Sequence, residues 1–136
     1  LTKDITLGNL STYFGEMFAY GPVLLFVRTG LADGDELWRS DCTDAGTFMI
    51  RKLNPGNFRY LTAFAGRVYF SADDGLNGQE LRKTDGTFTG TLLVRNIKPG
   101  SSSSNPSNLT ASGNRLYFRI YDPFSAFPEA LWKYEP

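Results

Sequence analysis

The residues in this chain best suited to chemistry are aromatic and basic, not acid–base pairs. Trp38 and Trp132 each follow a leucine in a strand-like run, and Arg82 holds the same place in a run between them. Arg51 and Arg95, with Lys3, recur at a second register, and Tyr69 and Tyr117 at a third. Tryptophan offers a large apolar face and one N–H, which suits stacking on the C–H face of a sugar. A planar guanidinium bridges adjacent hydroxyls or holds a carboxylate in two-point contact. The expected ligand is a small neutral or acidic carbohydrate, taken in shallow repeated grooves. Its expected contacts are Trp38, Arg51, Tyr69, Arg82, Arg95, Tyr117 and Trp132. The plainer reading of the same residues is packing between repeats for the tryptophans, and a solvated or ion-paired face for the bases.

Other chemistries find less material. Histidine is absent, which removes the commonest general base and metal ligand. Cys42 is the sole cysteine, so it has no internal disulfide partner, and with no histidine to activate it the expectation is an inert buried thiol. None of the 14 acidic residues is singled out by spacing as half of a glycosidase carboxylate pair. No catalytic residue is therefore assigned, and the protein is not expected to be an enzyme. The run from Asp73 to Glu80 places oxygen ligands at alternate positions, as calcium loops do. Such a loop wants a carboxylate at its twelfth position, and that is Thr84. The related stretches Asp33-Gly34-Asp35-Glu36 and Asp122-Pro123 do not keep the pattern, so no metal or other cofactor is expected. Asp41 and Asp85, with Thr43, Thr47, Thr87 and Thr91, are expected to fix tight turns by accepting and donating local hydrogen bonds. Asn9-Leu10-Ser11 and Asn108-Leu109-Thr110 match the N-glycosylation acceptor pattern. Lys plus Arg equals Asp plus Glu, 14 against 14, so general electrostatic attraction to nucleic acid or to an anionic membrane is not expected. No apolar run approaches the roughly 20 residues of a membrane helix, so membrane insertion is not expected either.

The elements that position these residues repeat. Val23-Leu24-Leu25-Phe26, Arg67-Val68-Tyr69-Phe70 and Arg115-Leu116-Tyr117-Phe118 are aligned copies, with Phe26, Phe70 and Phe118 spaced by 44 and 48 residues. Phe26 to Leu37 and Phe70 to Leu81 are each 11 residues, while Phe118 to Leu131 is 13, so the third copy carries an insertion around Pro123 to Pro128. Each unit of roughly 45 residues holds four short β-prone runs bounded by Gly, Pro, Asn, Asp or Ser. Strands are predicted near 23–28, 67–72, 79–84, 91–97, 107–112 and 114–121, with a hairpin turn at Gly113-Asn114 and no helix longer than about two turns. The repeats run over about 1–46, 47–90 and 91–136. Four strands per unit of this length predict an all-β chain, a β-propeller built of four-stranded blades with three blade-sized repeats. Propellers hold roughly 4–8 blades, so the ring is expected to close by homo-oligomerisation, a dimer giving six blades. In that arrangement Leu1 to Ile5 of each chain pairs beside Leu131 to Tyr134 of its partner. A start without methionine suggests a mature or excised chain.

Glu36-Leu37-Trp38-Arg39-Ser40-Asp41 and Thr84-Asp85-Gly86-Thr87 with Gly90-Thr91, followed by Val94-Arg95-Asn96-Ile97-Lys98-Pro99-Gly100, resemble the bacterial ELWxxDGT repeat family. Asn105-Pro106, Leu109-Thr110 and Leu116-Tyr117-Phe118 extend the resemblance, which is strong from 36 to 120 and weak before 36. It implies a propeller-like repeat of secreted or cell-surface proteins and no single activity. The absence of histidine, the balanced charge and the recurring aromatics favour a lectin-like module, with a structural or adhesion module that binds protein partners as the alternative. Three positions depart from the pattern. Arg82 stands where the family has tryptophan, Cys42 replaces the turn glycine, and Glu129-Ala130-Leu131-Trp132 carries one inserted residue.

Overall fold

A computed structural model describes residues 13–29, 34–54, 58–124, 126 and 128–136. All regular structure among them is β. The first sheet holds β1 (Tyr13–Tyr20), β2 (Val23–Thr29), β3 (Asp35–Ser40) and β4 (Phe48–Leu53). The second holds β5 (Arg59–Phe64), β6 (Arg67–Asp73), β7 (Gln79–Thr84) and β8 (Leu92–Arg95), and the third β9 (Ser107–Ser112), β10 (Arg115–Tyr121) and β11 (Glu129–Tyr134). Each is an antiparallel meander in chain order. The predicted strands are present, and one is shorter than expected: 91–97 narrows to Leu92–Arg95, because the Asp85 turn holds Thr91 and the Glu80 carboxylate takes the backbone N–H of Ile97. The predicted repeat boundaries after residues 46 and 90 fall in the turns just before β4 and β8. The expected partner strand Leu1 to Ile5, and Lys3, Asp33 and Asn9, lie outside the described residues.

Alternation along the strands gives each sheet two different faces. Leu25, Val27, Leu37, Ile50 and Leu53 of the first sheet bury against Val68, Phe70 and Ala72 of the second, with Phe58 stacked on Phe70 at 4.6 Å between centroids. The opposite face of the second sheet, with Tyr69 and Leu81, meets Leu116, Phe118 and Ile120 of the third. Among the described residues the middle sheet thus has a neighbour on each side, and the outer two have one each. Glu16 on β1 reaches across to accept the backbone N–H groups of Tyr60 and Leu61 at 2.9 Å each. Those groups are freed by a bulge in β5, where Tyr60 takes a positive φ. Asn108 repeats that conformation in β9.

Two turns are built alike. In the second sheet the Asp85 carboxylate accepts from Thr87 N–H at 3.0 Å and from the Thr87 hydroxyl at 2.6 Å. The same hydroxyl accepts from Gly90 N–H at 2.9 Å, and the Thr91 hydroxyl donates to Thr87 O at 2.6 Å. Asp41, Thr43, Gly46 and Thr47 reproduce every one of these bonds within 0.1 Å. The turn-forming role expected of these residues is what the structure gives them. At the next position Gly86 has φ 84° and Cys42 has φ 69°, a left-handed conformation that glycine tolerates and a cysteine adopts with strain. Cys42 is exposed, not buried as expected, because the turn tip projects from the sheet.

Candidate functional site

Trp38, Arg82 and Trp132 occupy one register. Each is paired across the ladder with the phenylalanine of the preceding strand, Phe26, Phe70 and Phe118 respectively. Their surroundings differ because their sheets do. Arg82 faces the first sheet and is 2% exposed. Its Nε donates to Ala72 O at 3.2 Å and its guanidinium is ion-paired with Asp74. It therefore offers no surface to a ligand, which corrects the expectation of a middle binding site. Burial alone would raise the Asp74 carboxyl. The N–H groups of Asn77 and Leu76, the Asn77 amide and the Arg82 guanidinium outweigh it and hold the group well below the usual carboxylate range. The same donors occupy the Asp74 carboxylate, and Gly75 N–H and the Asn54 amide occupy that of Asp73. No group of three metal-ligating side chains occurs among the described residues.

Tyr69 is likewise closed to ligand, at 1% exposed. It packs against Phe64 and Tyr134, and burial, with Tyr134 beside it, pushes its phenol up to about 12. Tyr117 is half-buried and pairs across the ladder with Lys133, on the sheet face opposite Trp132. Arg51 lies over the Phe88 ring at 5.0 Å and reaches Thr91 O at 3.5 Å. Arg95 is exposed at the end of β8. Both arginines stand opposite a motif leucine, Leu37 and Leu81, so the recurrence seen in the sequence is one of register. Trp38 is half-buried, its ring stacked on Phe26 at 6.2 Å and its indole N–H donated to Glu36 at 2.8 Å. Glu36 also accepts from Arg28 at 2.9 Å, and that guanidinium lies 5.6 Å from the indole centroid.

Trp132 lines a concavity. A cleft of about 220 Å3 opens where the second and third sheets meet, walled by Ile97 and Lys98 after β8, Ile120 and Asp122 at the end of β10, and Pro128, Ala130 and Trp132 leading into β11. Its apolar walls are Ile97, Ile120 and the indole. Its polar rim is the Lys98–Asp122 ion pair at 2.8 Å. The Lys98 ammonium, and after it the Phe124 N–H, hold the Asp122 carboxyl below the usual range. A hydrogen bond from Asp122 N–H to Pro128 O at 2.7 Å closes the β10–β11 connection beside it. Sequence reasoning missed Lys98 and Asp122. The signal available was the insertion between Phe118 and Leu131, from which Pro128 lines the cleft.

The cleft can take a small, flat, partly apolar group on the indole and hold its polar substituents between an ammonium and a carboxylate. Comparison of the chain with protein-family models, with curated proteins and with solved structures finds no match.

Proposed function

We propose that the chain is a β-propeller repeat module, of the kind the ELWxxDGT-like motifs suggest, that binds carbohydrate in the cleft floored by Trp132. The observation that carries the reading is the half-buried indole forming one wall of a cleft whose rim is a charge pair. Sugars present an apolar C–H face and a polar periphery, and this lining matches both. The volume lies below the roughly 300–1,000 Å3 of pockets for drug-sized ligands, which suits one sugar ring. The propeller arrangement is supported by the first strands of the sheets, since β1 neighbours β5 and β5 neighbours β9, as strands gathered around a common axis do. Asp122 is the one carboxylate among the described lining residues, and the reading is binding without turnover. A shallow site of this kind implies weak binding, Kd about 10 µM to 1 mM, or about 4–7 kcal/mol.

The test is calorimetric titration with a panel of neutral and acidic monosaccharides, repeated on Trp132→Ala and Lys98→Ala after circular dichroism has shown both folded. Binding by the parent, lost in Trp132→Ala and weakened in Lys98→Ala, is expected. If no saccharide binds, or if Trp132→Ala binds as the parent does, the carbohydrate reading fails and a scaffold for protein partners becomes the better account.

A further inference from the structure

The two internal junctions act as a mould for what the outer sheets lack. In each, a leucine-bearing face of one sheet closes on a phenylalanine-bearing face of the next. The motif leucine is 0% exposed as Leu37 and 1% as Leu81, but its third copy, Leu131, is 74% exposed. On the other type of face, Val68 and Leu116 are both 0% exposed, while their counterpart Leu24 in the first sheet is 36% exposed. Among the described residues, each end of the stack therefore presents one half of a junction that is filled twice inside the chain. The half on the first sheet is extended by a lateral row, Met17, Phe26, Trp38 and Met49, paired strand to strand across all four strands, with both methionines exposed and Phe14 lying 5.9 Å from Phe26.

We infer that these two bare faces bind each other in two copies of this chain: the third sheet of one copy, through Leu131 and Tyr117, covers the first sheet of the other around Leu24, Met17 and Trp38. The faces are unlike, so the contact is head to tail and repeats until the ring closes. Two copies bring six sheets together, within the range of closed propellers. The partner is a second copy because the complementary half of each bare face is on this chain, and the internal junctions show the two types of face fitting together. This inference rests on the packing of the sheets and stands or falls apart from the carbohydrate reading.

Sedimentation equilibrium on the whole chain is expected to give about twice its 15.1 kDa. Leu131→Glu and Met17→Glu, both at exposed positions, are each expected to give folded monomers. An equimolar mixture of the two is expected to form a dimer again, because the intact first-sheet face of the Leu131 variant meets the intact third-sheet face of the Met17 variant. A monomeric parent overturns the inference, including the case in which the chain's own residues cover these faces. It is also overturned if Leu131→Glu stays dimeric while Met17→Glu does not, which would mean like faces meeting like, or if the mixture remains monomeric.

Discussion

Asp85 and Gly90 illustrate how one side chain can dictate its neighbour. A Cβ on Gly90 would fall inside the Asp85 carboxylate, which sits there to take both donors of Thr87. Gly46 stands in the same relation to Asp41. Gly90 is required for space, not for backbone conformation, since its φ lies outside the left-handed region. Gly90→Ala is therefore expected to destabilise by about 1–3 kcal/mol through overpacking, and Asp85→Ala by about 1–2 kcal/mol through lost hydrogen bonds. The double variant is expected to cost little more than Asp85→Ala alone, because removing the carboxylate frees the volume for the methyl group. Urea unfolding of the four proteins gives the coupling directly. Additive costs would show that the glycine is needed for another reason. The pairing of acid and glycine was legible in the sequence as a repeated turn. The reason for the glycine was not, because it depends on where the carboxylate swings.

At the scale of elements, the motif glutamate does more than occupy a strand. Glu80 is fully buried on β7 and accepts four hydrogen bonds from the connection between the second and third sheets. They come from Ile97 N–H at 3.1 Å, Lys98 N–H at 3.2 Å, Ser104 N–H at 3.2 Å and the Ser104 hydroxyl at 2.6 Å. The polar serine tract is thus held down at Ser104, while Ser103 accepts from Gln79 N–H at 2.9 Å. Its counterpart Glu36 pairs instead with Arg28, and in the third sheet the same register position is Ala130. Glu80→Gln puts an NH2 where an acceptor stood and leaves donors unanswered in a buried site, at a cost of about 2–4 kcal/mol. Hydrogen exchange is expected to speed up first at Ile97, Lys98 and Ser104, before the β6–β7 ladder. Uniform loss of protection would mean that Glu80 supports the sheet and not the connection. Strand positions were legible because alternation and turn residues are local signals. The burial of Arg82 and Tyr69 was not, because it depends on which sheet has neighbours on both sides, and a repeat sequence does not mark its middle copy. Arg82 in place of tryptophan reads naturally in hindsight: the ion pair with Asp74 lets a cation sit between two sheets.

For the molecule as a whole, charge and packing make separate demands. The carboxyls of Asp41, Asp74, Asp85 and Asp122 are all held below their ordinary range in the fold. A depressed carboxyl contributes stability that is present above the unfolded pKa, about 3.9 for Asp, and is lost as pH falls through the folded value. Tyr69 is shifted the other way, so its contribution is intact below the ordinary phenol value of about 10 and fades as pH rises towards about 12. Urea midpoints are expected to be level between about pH 6 and 9 and to fall on both sides. A steep change inside that window would point to a group outside this set. The packing demand separates the three motif leucines. Leu37→Ala and Leu81→Ala each open a cavity at a filled junction and are expected to cost about 2–5 kcal/mol. Leu131→Ala removes an exposed side chain and is expected to stay within about 0.5 kcal/mol at protein concentrations low enough to keep chains apart. The head-to-tail association inferred above would stabilise the parent by mass action as concentration rises, so the gap between parent and Leu131→Ala is expected to widen while the other two costs keep their size. Equal costs for all three leucines in dilute solution would mean that the third junction is already filled within one chain, and that its residues supply the missing face themselves.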